Sequence, residues 1–203
     1  MAGMTTMPGA HEALPGRDTP MSVPDSHYVN GHPLKPPFPG GMQQAMFGMG
    51  CFWGAERRFW EQPGVFTTAV GYAAGMTPNP TYEEVCTGMT GHNEVVLVVF
   101  DPAVIAYEDL RLLCWDSPDP TPGRRQGKAR GSQYRSGIFI NGVAPRAAAK
   151  ASLAESQRSL SEQGYGNSPR KSSMRRLFTM PRTITSNTSR KTRAVIAGWV
   201  ERV

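Results

Sequence analysis

Cys51 stands between two glycines, in Gly50-Cys51-Phe52-Trp53-Gly54. The residues before it, Ala45 to Gly50, read as a short strand. Cys51 to Gln62 read as a helix, with Phe52, Ala55, Phe59 and Trp60 spaced for one face. A thiol at such a junction meets the unpaired N–H groups and the positive end of the helix, which favour an anion. The expectation is a lowered pKa and a nucleophilic sulfur. The bland alternative is a buried structural cysteine. The glycines argue against it by leaving the sulfur sterically open, and Phe52-Trp53 offers an apolar recess beside it. Cys86 and Cys114 read as structural, each among apolar neighbours in a short helix. There is no Cys/His ligand spacing and no phosphate-binding glycine loop, so neither a metal nor an organic cofactor is expected.

The elements that position Cys51 follow from periodicity. Val65 to Tyr72 and Glu94 to Phe100 read as strands, the second being the clearest. Pro78-Asn79-Pro80-Thr81 is a turn that can cap a helix over Tyr82–Cys86. Tyr107 to Trp115 and Ala144 to Gln163 read as helices, Ser117 to Gly131 as a long loop, and Tyr134 to Asn141 as a strand. Strands alternating with helices imply an α/β (α+β) domain of two layers. The chain divides into an extended N-terminal segment at 1–40, a catalytic domain at 41–166 and an aberrant, disordered tail at 167–203. Its first dozen residues read as disordered, and the rest of the N-terminal segment as wrapping the core through Tyr28, Leu34 and Phe38.

Composition removes other classes. No run approaches the roughly 18 apolar residues of a membrane span. No basic start leads into an apolar stretch, so a secretory signal is not expected. Three cysteines suit a reducing compartment, and the cytoplasm is the expected location. The net charge of +6 is lopsided: residues 1–166 carry 13 Lys+Arg against 15 Asp+Glu, whereas 167–203 carry 9 against Glu201 alone. A basic tail ordinarily suggests nucleic acid or an anionic membrane. That is the alternative function for this chain.

Six separated motifs point elsewhere. Gly50-Cys51-Phe52-Trp53-Gly54-Ala55-Glu56 resembles the signature of the A-type peptide methionine sulfoxide reductases. In the family's order there follow Gly71-Tyr72-Ala73-Ala74-Gly75, then Pro78 to Cys86, then Thr90-Gly91-His92-Asn93-Glu94. Phe100-Asp101-Pro102 and Gly131 to Ser136 continue the series, and the resemblance spans about residues 14–166. It implies a two-layer sandwich related to the ferredoxin-like arrangement. It implies reduction of methionine S-sulfoxide, free or in proteins, with thioredoxin as reductant and repair of oxidised proteins as the outcome. Residue by residue, Cys51 would attack the sulfoxide sulfur and become a sulfenic acid. Phe52 and Trp53 would hold the methyl group. Glu94, protonated through burial, would protonate the sulfoxide oxygen, with the hydroxyls of Tyr82 and Tyr134 donating to it. Read without the resemblance, Glu94 is a strand-end carboxylate and the two tyrosines are core-edge residues. A monomer without specific nucleic-acid or membrane partners is expected.

Two departures qualify that picture. Where such enzymes read Arg-Gln-Gly-Asn-Asp, this chain reads Arg125-Gln126-Gly127-Lys128-Ala129, so the family's acid is replaced by Ala129. The family's tail, with its resolving cysteine, is also missing, and no cysteine follows Cys114. One possible coding of the family stretch Tyr-Ala-Glu-Asp-Tyr-His-Gln-Gln-Tyr-Leu, read from its second base, gives residues 180–189. A Gly-Tyr-Cys-Gly stretch, similarly displaced, gives residues 195–203. The basic tail is therefore read as a frame-shifted translation beginning near Gly166–Asn167. Without a resolving thiol, the chain is expected to stall after one reduction.

Overall fold

Strand β3 (Asn93–Phe100) is buried at every residue, because it lies inside the sheet between two neighbours. A run of Val and Leu suits a strand covered on both faces. The computed structural model describes residues 6–115, 125–126 and 129–139. Within them, β1 (Gln43–Met49), β2 (Val65–Ala73), β3 and β6 (Ser136–Phe139) form one sheet in the order β2-β3-β1-β6, with every pair antiparallel. The register sets Tyr72 opposite Glu94 and Phe47 opposite Val96. The pleat then puts Phe47, Val70, Tyr72, Val96, Val98 and Phe100 on one face. Helices α1 (Phe52–Trp60) and α3 (Tyr107–Trp115) cover that face through Phe52, Ala55, Phe59 and Leu110.

The opposite face carries Met46, Ala69, Val95, Leu97 and Phe139, and Leu34 of the N-terminal segment lies fully buried on it. That segment passes around the outer edge of β2. Asn30 Nδ2 donates to the Phe66 carbonyl over 3.0 Å, and the ring of His32 stacks on Phe66. His27 is buried on the helix side of the same edge. The N-terminal segment thus straps both faces of an edge strand and supplies a covering that a two-layer expectation lacks.

Several boundaries differ from the sequence expectation. Tyr28 is 77% exposed and does not anchor the segment; His27, next to it, does. Residues 6–12 are not loose. Gly9 to Ala13 close a turn, Leu14 N–H donates to the Met89 carbonyl over 3.1 Å, and the Arg135 guanidinium lies 2.9 Å from the Met7 sulfur. The loop expected over Ser117–Gly131 contains a short ladder of β4 (Arg125–Gln126) and β5 (Ala129–Arg130). The strand expected from Tyr134 begins at Ser136, because Ser132–Tyr134 form a turn of 3₁₀ helix. The helix expected at Ala144–Gln163, the side chain of Ala129 and the tail from 167 lie outside the described residues.

Candidate active site

Gly50 has φ +86, a left-handed conformation that costs glycine little and lets the chain turn sharply from β1 into α1. Cys51 is the residue preceding the first turn of α1, as expected, and it is half-buried. Its thiol differs from the expectation. Burial and then the nearby Glu94 push its pKa up, and hydrogen bonding by the Trp53 and Gly54 backbone only partly offsets them. The helix N-terminus does favour the thiolate. Desolvation and a neighbouring carboxyl outweigh it.

Glu94 is the first inward-facing residue of β3 and is 1% exposed. Its Oε2 accepts the Phe52 backbone N–H over 3.0 Å, which ties the start of α1 to the sheet. Burial lifts its pKa to about 8, against the lowering effect of that single N–H. A carboxyl in this setting keeps its proton at neutral pH.

Helix α2 (Tyr82–Cys86) closes another side of the site. Thr81 and Glu84 form a reciprocal capping box: the Thr81 hydroxyl accepts from Glu84 N–H, and Thr81 N–H donates to the Glu84 carboxylate over 2.7 Å. Arg17 reaches from the N-terminal segment to Glu84 Oε1 over 2.7 Å and to the Asn79 carbonyl over 2.6 Å. This short helix is therefore fixed at its start by side chains rather than by its length. Val85 is buried in the cluster of Met49, Phe52 and Tyr72, with Tyr82 and Trp53 packed against it. Tyr82's pKa is raised by burial and then by its hydrogen bond to Cys86.

Tyr134 enters through the turn before β6. Asn93 Nδ2 donates to the Arg135 carbonyl over 2.9 Å, and Arg135 Nη2 donates to the Gly91 carbonyl over 3.0 Å. These bonds moor the Tyr134 turn beside the start of β3. Burial raises the Tyr134 hydroxyl to about 12, with Glu94, Cys86 and Cys51 contributing in that order. His92, one turn away, is held at the Thr77 carbonyl over 2.8 Å. Burial lowers its pKa to about 4, so it is a neutral strut.

The predicted residues Cys51, Phe52, Trp53, Tyr82, Glu94 and Tyr134 thus converge on one place. The Phe52 and Trp53 rings meet edge to face at 4.6 Å; Phe52 is buried and Trp53 is only partly so. Two members were missed. Tyr72 is fully buried opposite Glu94, its ring 5.7 Å from Phe52, and its hydroxyl has no hydrogen-bond partner among the described residues. Strand parity alone signalled its face; its register with Glu94 did not show in the sequence. Cys86 was read as a packed structural cysteine, but it is half-buried and shares this cluster with Tyr82 and Glu94. Cys114 is buried, as expected. Among the described residues no group of His, Cys, Asp and Glu could hold a metal ion.

A half-buried thiol, a protonated carboxyl and phenol donors beside an apolar ring define a site for thiol chemistry on an oxygen-bearing substrate. The family described as peptide methionine sulfoxide reductase matches residues 43–166. The chain is 62% identical over 162 residues to a peptide methionine sulfoxide reductase MsrA of Rippkaea orientalis, covering 80% of this chain and 75% of that one. It is 62% identical over 160 residues to the MsrA of Azotobacter vinelandii, covering 79% and 74%. The solved methionine sulfoxide reductase A of Corynebacterium diphtheriae superposes with a TM-score of 0.73 at 38% identity, covering 81% and 78%. The chain belongs to the peptide methionine sulfoxide reductase family, and its reaction is the thiol-dependent reduction of methionine sulfoxide.

Proposed function

We propose that Cys51 is the nucleophile and Glu94 the acid of this reaction, with methionine S-sulfoxide, free or in a protein, as substrate. The observation that supports this most strongly is the buried Glu94 carboxyl, proton-bearing up to about pH 8 and bonded to the backbone next to Cys51. Trp53, with Phe52 behind it, takes the methyl group. The sulfoxide oxygen lies toward Glu94, Tyr82 and Tyr134. Protonation by Glu94 makes the sulfoxide sulfur electrophilic, and Cys51 attacks as its own proton leaves. The oxygen then passes from the substrate's sulfur to that of Cys51: the substrate's S–O bond and the transient S–S bond made by the attack both break, a Cys51 S–O bond forms, and methionine departs from a Cys51 sulfenic acid. The thiol's raised pKa suits this coupling: proton and oxygen move together, and no standing thiolate sits beside a carboxylate.

Thioredoxin, a dithiol reductant, returns the enzyme to its starting state in this reading. The enzyme acts as a monomer in the cytoplasm, where three free cysteines persist. Among the described residues no helix is long and apolar enough to cross a membrane. The test offers the separate S and R sulfoxides of free methionine to the chain and to Cys51→Ser. The S form alone should yield methionine, and Cys51→Ser should yield none. Equal use of both epimers, or activity without Cys51, would reject the assignment.

A further inference from the structure

The cycle needs a second thiol, and the sequence carries Cys51, Cys86 and Cys114, with none after position 114. The structure separates the two candidates. Cys114 is buried in α3, where its charge acts on Tyr107; it is the charge of Cys86 that acts on Cys51, Tyr82 and Tyr134. Cys86 ends α2 at the site. It is half-buried, and it lies one helical turn from Tyr82, on the same face. Its neighbour Val85 packs with Met49 and Phe52, the residues on either side of the Gly50-Cys51 turn. The Tyr82 hydroxyl hydrogen-bonds it. We propose that Cys86 is the resolving thiol of this chain, forming a disulfide with Cys51 inside the active site.

The proposal rests on Cys51 being the nucleophile, as above. After methionine leaves, the Cys86 sulfur attacks the sulfur of the Cys51 sulfenic acid. An S–S bond forms and the S–O bond breaks. The departing hydroxide takes up the proton of the Cys86 thiol and leaves as water. A dithiol such as thioredoxin then reduces the disulfide through a mixed disulfide, restoring both thiols. Tyr82 serves both halves of the cycle: it faces the sulfoxide oxygen first and the attacking Cys86 thiolate second. Burial raises the Cys86 pKa, and the Tyr82 hydrogen bond works against that rise. The charges of Cys86 and Glu94 both act on Cys51 and on Tyr134, as expected of groups gathered around one small space. Resolution within the site removes the expected stall after one reduction.

The test treats the full-length reduced chain with one equivalent of free methionine S-sulfoxide and no reductant. Methionine release, free thiols, dimedone labelling and disulfide-linked peptides are then measured. The expected result is about one methionine per chain, loss of two thiols, a linked Cys51–Cys86 peptide and little dimedone adduct. In Cys86→Ser about one methionine per chain should still be released, which also shows that the variant is folded. That variant should lose one thiol, label with dimedone at Cys51, and fall at least tenfold in thioredoxin-driven turnover while dithiothreitol still supports it. Cys114→Ser should behave as the parent. A dimedone-trapped Cys51 with two thiols left in the parent chain would overturn the proposal. So would thioredoxin-driven turnover that Cys86→Ser leaves intact. Absence of any methionine burst would overturn the assignment of Cys51 instead, so the two failures are distinguishable.

Discussion

Two glutamates are buried at α1, Glu94 against its start at 1% and Glu56 within it at 2% exposure, and their surroundings make them opposites. Glu56 lies within a chain of donors. The Thr68 hydroxyl donates to its Oε1 over 3.1 Å, and His27 Nε2 lies 3.0 Å from the Thr68 oxygen and 3.7 Å from Glu56. His27 Nδ1 accepts the Val29 N–H over 3.1 Å, so the ring's other nitrogen carries the proton and points it at Thr68. Helix, edge strand and N-terminal strap meet at that carboxyl. Glu94 has one backbone N–H to accept and is otherwise surrounded by Cys51 and the phenols, so burial keeps its proton in place. Donors make a buried carboxyl a structural tie, and their scarcity makes it an acid.

The sharpest way to break this comparison is Glu94→Gln, which keeps the shape and removes the transferable proton. The rate constant for methionine formation should fall about 10² to 10⁴-fold, the range of a positioned general acid. Stability should move the other way. A carboxyl whose folded pKa is raised to about 8 from 4.5 binds its proton more tightly folded than unfolded. Its unfavourable burial is therefore absent below pH 4.5 and accumulates as pH rises to about 8. The accumulated cost is on the order of 5 kcal/mol at most. Glu94→Gln should thus be more stable than the parent at alkaline pH and similar near pH 4, as measured by urea denaturation at both. The parent's activity should decline above about pH 8, where Glu94 ionises. A variant less stable at every pH would show that Glu94 is a tie like Glu56.

Glu56→Ala should give the converse. Removing the acceptor at the end of a buried hydrogen-bond chain typically costs about 1–3 kcal/mol. His27 and Thr68 lose their anchor, and the N-terminal strap loses its hold on the helix side of β2. The burst of methionine per folded molecule should remain near the parent's, as the Glu56 carboxyl is bonded to Thr68 on the strap side of β2. A large fall in that burst, with the denaturation midpoint unchanged, would merge the two regions functionally.

The sequence revealed the tie and the acid unequally. Elements set by local signals were legible. The Pro78–Thr81 turn marked the start of α2, and the glycine-flanked Cys51 marked the start of α1. The run of Val and Leu marked β3, and the motifs around Cys51 and Glu94 carried the family with its site. What depends on tertiary approach was not legible. His27 meets Thr68 across 41 positions and Thr68 meets Glu56 across 12, with no periodicity linking them. Tyr72 is an ordinary strand residue until the register sets it opposite Glu94. The Cys51 pKa followed a local helix rule that burial and a distant carboxyl reversed. Cys86 likewise read as structural because it follows Val85 in a short helix, although one face of that helix borders the site.

The smallest expected effects come from removing single hydroxyls, one in each region. Tyr134→Phe deletes a phenol that burial holds near a pKa of about 12, well above neutrality, and which is therefore always ready to donate. One donor to the sulfoxide oxygen is worth about 1.4 kcal/mol, or roughly tenfold in the rate of methionine formation. Stability should barely change, because the hydroxyl is half-buried and water can replace its lost partners. Thr68→Val is close in shape but removes the bridge between His27 and Glu56. It leaves the His27 Nε2 proton and a Glu56 oxygen without their observed partner in a dry site. That should cost about 1–3 kcal/mol of stability, with the methionine burst unchanged. Measured together, the pair tests whether hydroxyls follow the division seen in the glutamates. If Thr68→Val slows catalysis, or Tyr134→Phe lowers the denaturation midpoint by a comparable amount, the division between tie and acid fails at the level of single hydrogen bonds.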